Sequence, residues 1–89
     1  MKTALVTGAS SGIGTAIARI LAENNYNLII CGRREDRLLA LQKELAEKVS
    51  VEYLIFDVRD RDKVHEVLAP VVAAKSIDVL INNAGNAHG

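Results

Sequence analysis

Four short apolar runs punctuate the chain, at Thr3 to Thr7, Asn27 to Cys31, Val51 to Phe56 and Val79 to Asn82. Each is continuous and rich in Val, Ile or Leu, the pattern of strands buried on both faces. Between the runs the spacing changes to a helical period. Ile13, Ile17, Ile20 and Leu21 mark the apolar stripe of a first helix, and Leu38, Leu41, Leu45 and Val49 that of a second. A third carries Val64, Val67, Leu68, Val71 and Val72, with Asp60 placed to cap it and Asp62 adding negative charge in its first turn. Pro70 falls inside this third stretch. Proline lacks a backbone donor and clashes with the preceding turn, so the helix is expected to end or kink near Ala69, or to restart with Pro70 in its first turn.

The predicted order is therefore β-α-β-α-β-α-β, an α/β class. It requires a parallel sheet with right-handed crossovers and helices on both faces, and it excludes helix bundles and all-β folds. No repeat, low-complexity tract or linker interrupts the pattern, so the 89 residues read as one compact unit.

Composition narrows the chemistry. Apolar residues make up 49% and charged residues 25%, as in an ordinary globular chain. Eleven Lys and Arg balance eleven Asp and Glu, so no bulk positive charge favours nucleic acid or an anionic membrane. Tyr26, Tyr53 and Phe56 are the only aromatic residues, too few for a base-stacking surface. The single cysteine, Cys31, permits no internal disulfide and reads as a small buried hydrophobe in a reducing compartment, with the cytoplasm as the default location. No apolar run approaches the length of a signal or membrane span. His65 and His88 lie far apart without a partner set, so no metal site is expected. The Lys43, Glu44, Glu47 and Lys48 cluster reads as a solvated helix face with a Glu44 to Lys48 pair.

The first strand runs directly into Thr7-Gly8-Ala9-Ser10-Ser11-Gly12-Ile13-Gly14, after which the helical pattern begins. In such a loop Gly8 permits a tight turn, Gly12 lets backbone approach a phosphate, and Gly14 lets the helix pack close to the sheet. Free N–H groups and the dipole of the helix N-terminus suit a pyrophosphate. The spacing is not G-x-G-x-x-G, and no Gly-Lys-Ser/Thr follows, so a triphosphate P-loop is excluded. The second strand should end near the ribose of a nucleotide lying on this loop. An NAD site places an acid in that region. Here it reads Gly32-Arg33-Arg34, and the two guanidiniums favour a 2′-phosphate, hence NADP over NAD.

With these residues in hand, the chain resembles the classical short-chain dehydrogenase/reductase family. Thr7 to Gly14 looks like its T-G-x-x-x-G-x-G cofactor loop, and Asn82-Asn83-Ala84-Gly85 looks like the N-N-A-G segment after its fourth strand. Asp57-Val58 matches the family's adenine contact, which implies that the carboxylate accepts from the exocyclic amine. The implied cofactor-binding set is Gly8, Ser10, Ser11, Gly12, Ile13, Gly14, Arg33, Arg34, Asp57, Val58, Asn83, Ala84 and Gly85.

The resemblance implies a Rossmann-type, doubly wound sheet of order 3-2-1-4 in three α/β/α layers. The first two helices share one face and the third takes the other. It further implies that residues 1–89 are the N-terminal part of a single NAD(P)-binding domain whose catalytic part is absent. Family members carry a catalytic Ser and a Tyr-x-x-x-Lys further on. Tyr26 is followed at that spacing by Ile30 and Tyr53 by Asp57, so both read as packing residues and no catalytic residue is assigned. The implied activity is hydride transfer between NADP(H) and an alcohol or carbonyl substrate by a longer, homo-oligomeric enzyme, and the 89 residues alone are expected to be inactive. A stand-alone nucleotide-binding or sensor module is the alternative. The third helix and the fourth strand are expected to be incompletely covered.

Overall fold

The computed structural model describes residues 1–57, 59–74 and 76–83. Its elements follow the predicted order: β1 (Thr3–Thr7), α1 (Gly12–Glu23), β2 (Asn27–Gly32), α2 (Glu35–Leu45), β3 (Val51–Ile55), α3 (Arg61–Ala74) and β4 (Val79–Asn82). The four strands form one parallel sheet in the order β3-β2-β1-β4. Val6 pairs with both Ile30 and Ile81, and Thr7 with Asn82, so the C-terminal ends of β1, β2 and β4 line one edge.

Strand alternation sorts the core into two layers. Ala4, Val6, Leu28 and Ile30 face α1 and α2, joining Ala18, Ala22, Leu38, Leu41 and Leu45. Leu5, Ile29 and Cys31 face the other way with Phe56, against Val64, Val67, Leu68 and Val71 of α3. Burial on both faces holds for the central strands β1 and β2. It does not hold for the edges, where Glu52 and Ile55 of β3 and Leu80 of β4 are exposed. Each fully buried Leu or Ile of the central strands contributes about 1.5 to 3 kcal/mol relative to exposure. The α3 layer is thinner, and none of that helix's residues is fully buried.

Two helix expectations need correction. The buried stripe of α1 is Gly14, Ala18 and Ala22, while Ile13 and Ile20 are 68% and 59% exposed. Three small residues at i, i+4 and i+8 bring the helix backbone close to the sheet, and that close approach turns the two isoleucines outward. The second concerns α3, where the expected stop near Ala69 does not occur and the helix runs through Pro70 to Ala74. Glu66, whose carbonyl loses its i+4 donor to the proline, and Pro70 itself both lie on the exposed side, where water can satisfy that carbonyl.

Capping follows the local sequence. Asp60 Oδ1 accepts from the Lys63 N–H at 3.1 Å, as expected of the α3 cap. At the far end of α1, Asn25 takes a left-handed φ of 65° and the Tyr26 N–H bonds to the Leu21 carbonyl at 3.0 Å, a Schellman-type stop.

Candidate functional site

The loop between β1 and α1 is organised around the Gly8 carbonyl. Gly8 adopts φ 66°, a left-handed conformation that glycine takes without a Cβ penalty. Its carbonyl accepts from the Ser11 N–H at 3.1 Å and the Ser11 hydroxyl at 2.8 Å. The same hydroxyl accepts from the Gly14 N–H at 3.2 Å, making Ser11 the N-cap of α1. Thr15 Oγ1 donates to the Ala9 carbonyl at 2.7 Å, and the Ala9 N–H donates to the Cys31 carbonyl at 2.9 Å, fastening the loop to the end of β2.

The glycines differ in what surrounds them. A Cβ on Gly14 would strike the Gly8 carbonyl oxygen and lie 2.9 Å from the Ala9 Cα, so this glycine is required by helix-to-strand packing. A Cβ on Gly12 would meet nothing within 4 Å. Packing within the described chain therefore does not demand glycine at position 12; the open space beside its backbone suits the close approach of a ligand. The first turn of α1 contains no acidic residue, whereas α2 opens with Glu35 and Asp36 and α3 with Asp62. The N-terminus of α1 thus keeps its dipole unopposed for an anion.

At the end of β2, a Cβ on Gly32 would lie 2.8 Å from the Ser10 Oγ, which places Gly32 and the loop in direct apposition. Arg33 and Arg34 follow immediately, Arg34 at the N-cap of α2 without a side-chain cap bond. Arg33 Nη1 lies 3.9 Å from Asp57 Oδ2, and both side chains remain partly exposed. At the end of β4, Asn83 Nδ2 donates to the Gly8 carbonyl at 3.3 Å and to the Ser11 hydroxyl at 3.1 Å. The fold thereby brings together Gly8, Ser10, Ser11, Gly12, Ile13, Gly14, Arg33, Arg34, Asp57 and Asn83 along one sheet edge. Val58, Ala84 and Gly85, along with His88, lie outside the described residues.

Several contributors escaped sequence reasoning. Thr7 Oγ1 donates to Asn82 Oδ1 at 3.1 Å, tying the ends of β1 and β4. Arg37 reaches from α2 to the Ser10 carbonyl at 3.3 Å; its spacing of three from Arg34 was the available signal. Arg59 donates through Nε and Nη2 to both Asp57 carboxylate oxygens, and its N–H bonds to Oδ1 at 2.9 Å. The Arg59 hydrogen bonds, with smaller help from the Arg33 charge, hold the Asp57 pKa down to about 2. An amine reaching Asp57 therefore competes with Arg59 for the same oxygens.

Groups away from the loop are structural. Burial pushes the Cys31 thiol up to about 12, which leaves it unreactive at neutral pH. Tyr53 packs against the main core layer and donates to Glu35 at 3.3 Å, and Tyr26 packs against the same layer. Glu44 is not confined to a solvated cluster on α2: it accepts from Arg19 Nε and Nη2 at 2.7 and 3.0 Å, joining α1 to α2. Among the described residues no group of three or more His, Cys, Asp or Glu side chains could hold a metal, and no helix is long and apolar enough to cross a membrane.

A doubly wound sheet with an anion-suited glycine loop at its carboxyl edge defines a nucleotide-binding α/β protein. The sequence model described as short chain dehydrogenase matches residues 2–89, and the chain belongs to that family. It is 49% identical over 86 residues to the NADP-dependent 3-hydroxy acid dehydrogenase of Salmonella typhi, an alignment covering 96% of this chain and 34% of the relative. Among solved structures, an alcohol dehydrogenase from the archaeon Thermococcus sibiricus complexed with 5-hydroxy-NADP superposes with a TM-score of 0.82 at 41% identity. That match covers 90% of this chain and 35% of the other. A short-chain dehydrogenase from Sphingobium yanoikuyae in complex with NADPH gives 0.85 at 36% identity, covering 94% and 34%. The chain thus spans about a third of the length of these relatives.

Proposed function

We propose that residues 1–89 form the N-terminal, cofactor-binding part of a single NAD(P)-binding domain in an NADP-dependent oxidoreductase acting on an alcohol or carbonyl substrate. The observation that carries this reading is the apposition of Gly32 to Ser10, with Arg33 next in the chain and no acid at the strand end. A carboxylate there would accept from a ribose 2′-hydroxyl and repel a 2′-phosphate; a glycine followed by guanidiniums does the opposite. The Salmonella relative is an NADP-dependent enzyme and the two solved structures hold 5-hydroxy-NADP and NADPH, which supports the same reading.

NADP, when bound, supplies the hydride donor or acceptor. The chain's own residues hold it: backbone N–H groups around Gly12 and Ile13 take the pyrophosphate, Arg33 and Arg34 the 2′-phosphate, and Asp57 with Val58 the adenine. Asn83 borders the same edge, bonded to Gly8 and Ser11, and Ala84 and Gly85 complete the proposed cofactor set. No Tyr of this chain has a Lys four residues on, so proton transfer to the substrate oxygen falls to residues beyond these 89. Free Cys31 fits the reducing cytoplasm, and the exposed Leu80 fits a longer, self-associating enzyme.

The reading is tested in the full-length protein by titrating NADPH and NADH and assaying reduction of aldehydes, ketones and 3-oxo acids. NADPH is expected to bind at least about tenfold tighter and to support turnover. Binding without turnover on any of these would favour a nucleotide-sensing module, and absence of dinucleotide binding would overturn the site.

A further inference from the structure

We propose that Arg37 is a positioning residue for cofactor selectivity, setting the Ser10 hydroxyl for the 2′-phosphate; the inference rests on the NADP reading above. Arg37 lies in α2, one turn beyond Arg34, and its Nη1 donates to the Ser10 carbonyl at 3.3 Å across 27 residues of chain. The Ser11 N–H of that same peptide unit donates to the Gly8 carbonyl at 3.1 Å. The peptide is therefore held at both ends, by the loop on one side and by Arg37 on the other.

The consequence falls on the Ser10 side chain. Its Oγ and Cβ stand 2.8 and 3.2 Å from where a Gly32 Cβ would be, so they fill the notch that the glycine leaves beside Arg33. Among the described residues the Ser10 hydroxyl takes part in no hydrogen bond, which leaves its donor for a ligand. A nucleotide lacking the 2′-phosphate offers only a neutral 2′-hydroxyl at this notch, a weaker acceptor, and depends far less on how firmly Ser10 is held. A nucleotide carrying it receives one bond from Ser10 and further bonds from Arg33, and benefits from a Ser10 backbone, and hence a side-chain root, fixed in advance. Arg37 thus contributes to selectivity through Ser10, and sequence inspection of Gly32-Arg33-Arg34 alone overlooks it.

The test uses the full-length protein and calorimetric titration with adenosine 2′,5′-bisphosphate and adenosine 5′-monophosphate. Arg37→Ala is expected to weaken the bisphosphate about three- to tenfold, as for one solvent-exposed charge-assisted bond, with the monophosphate and the melting temperature unchanged. Arg37→Lys, which keeps a charged donor, is expected to recover most of the loss. Because the effect passes through Ser10, Arg37→Ala should add nothing in a Ser10→Ala background. Equal weakening of both ligands, or an undiminished effect in the Ser10→Ala background, overturns the proposal. A wild-type protein that binds the bisphosphate no more tightly than the monophosphate overturns the NADP reading itself, an outcome visible before any variant is made.

Discussion

Asn83 at the end of β4 donates to the Ser11 hydroxyl at 3.1 Å, joining two motifs that stand 72 residues apart in the chain. Ser11 is also the cap of α1 and a donor to Gly8, so one hydroxyl holds the helix start, the loop turn and the fourth strand in register. This ties the binding edge to the strand pairing between β1 and β4.

Asn83→Ala removes the donor and leaves the Ser11 hydroxyl and the Gly8 carbonyl with one bond fewer each. The expected loss is about 0.5 to 1.5 kcal/mol of stability, with weaker NADPH binding alongside it. Urea unfolding and fluorescence titration of the full-length protein measure the two effects, and unchanged values in both would contradict the role assigned to this contact.

Gly12→Ala and Gly14→Ala should separate binding from folding. The methyl at Gly14 meets Gly8 and Ala9 backbone that has no flexible end to move, so a loss of about 1 to 3 kcal/mol or more is expected. At Gly12 nothing of the described chain is in the way, and replacing glycine at a helix start should leave stability within about 1 kcal/mol. NADPH affinity should nonetheless drop by about tenfold or more, since the methyl occupies the space left for the ligand. Thermal melts beside titrations distinguish the two, and equal damage to folding in both variants would refute the division.

Arg33→Ala should weaken NADPH by roughly 10- to 150-fold, the value of one charge-assisted bond, and leave NADH nearly unchanged. Adding Gly32→Asp should reverse the preference, because the carboxylate accepts from a 2′-hydroxyl and repels a phosphate. Its Cβ would lie 2.8 Å from the Ser10 Oγ, which can rotate away, and 3.2 Å from the Ser10 Cβ, which must give by a few tenths of an ångström, so the variant should fold with some loss of stability. If both cofactors weaken together, the arginines are a generic basic patch.

The Asp57 carboxyl titrates at about 2 in the folded chain against an ordinary 3.8, chiefly through its hydrogen bonds from Arg59. A depressed folded pKa contributes stability that is present above the ordinary value and lost as pH falls through the folded one. Stability should therefore decline between about pH 4 and about pH 2. Asp57→Asn should flatten that part of the curve, and an identical slope in urea unfolding of the variant would show that other carboxyls carry the acid response.

Much of this architecture was legible without coordinates, because strand and helix periods are local properties. The alternation of apolar runs and helical stripes was enough for seven elements in their correct order, while the sheet order β3-β2-β1-β4 was implied by the family resemblance. The glycine loop was equally readable, since close backbone approach restricts residue type at fixed positions, whereas Asn82-Asn83 was singled out by the family resemblance alone. Tertiary structure decided what depends on distance between elements. Apolar spacing pointed to Ile13, Ile17, Ile20 and Leu21 as the core-facing stripe of α1; Leu21 does pack against the core, but Ile13 and Ile20 are exposed and the sheet selected Gly14, Ala18 and Ala22, because small side chains permit the closer approach. Glu44 had Lys48 one turn away in sequence, yet the packing of α1 beside α2 supplied Arg19 in a two-point ion pair. Pro70 carried a local stop signal that the exposed side of α3 made tolerable. Arg37 and Ser10 met for the same reason: their contact spans two elements, and a linear pattern encodes which residues a helix can present, while the docking of that helix determines what they touch.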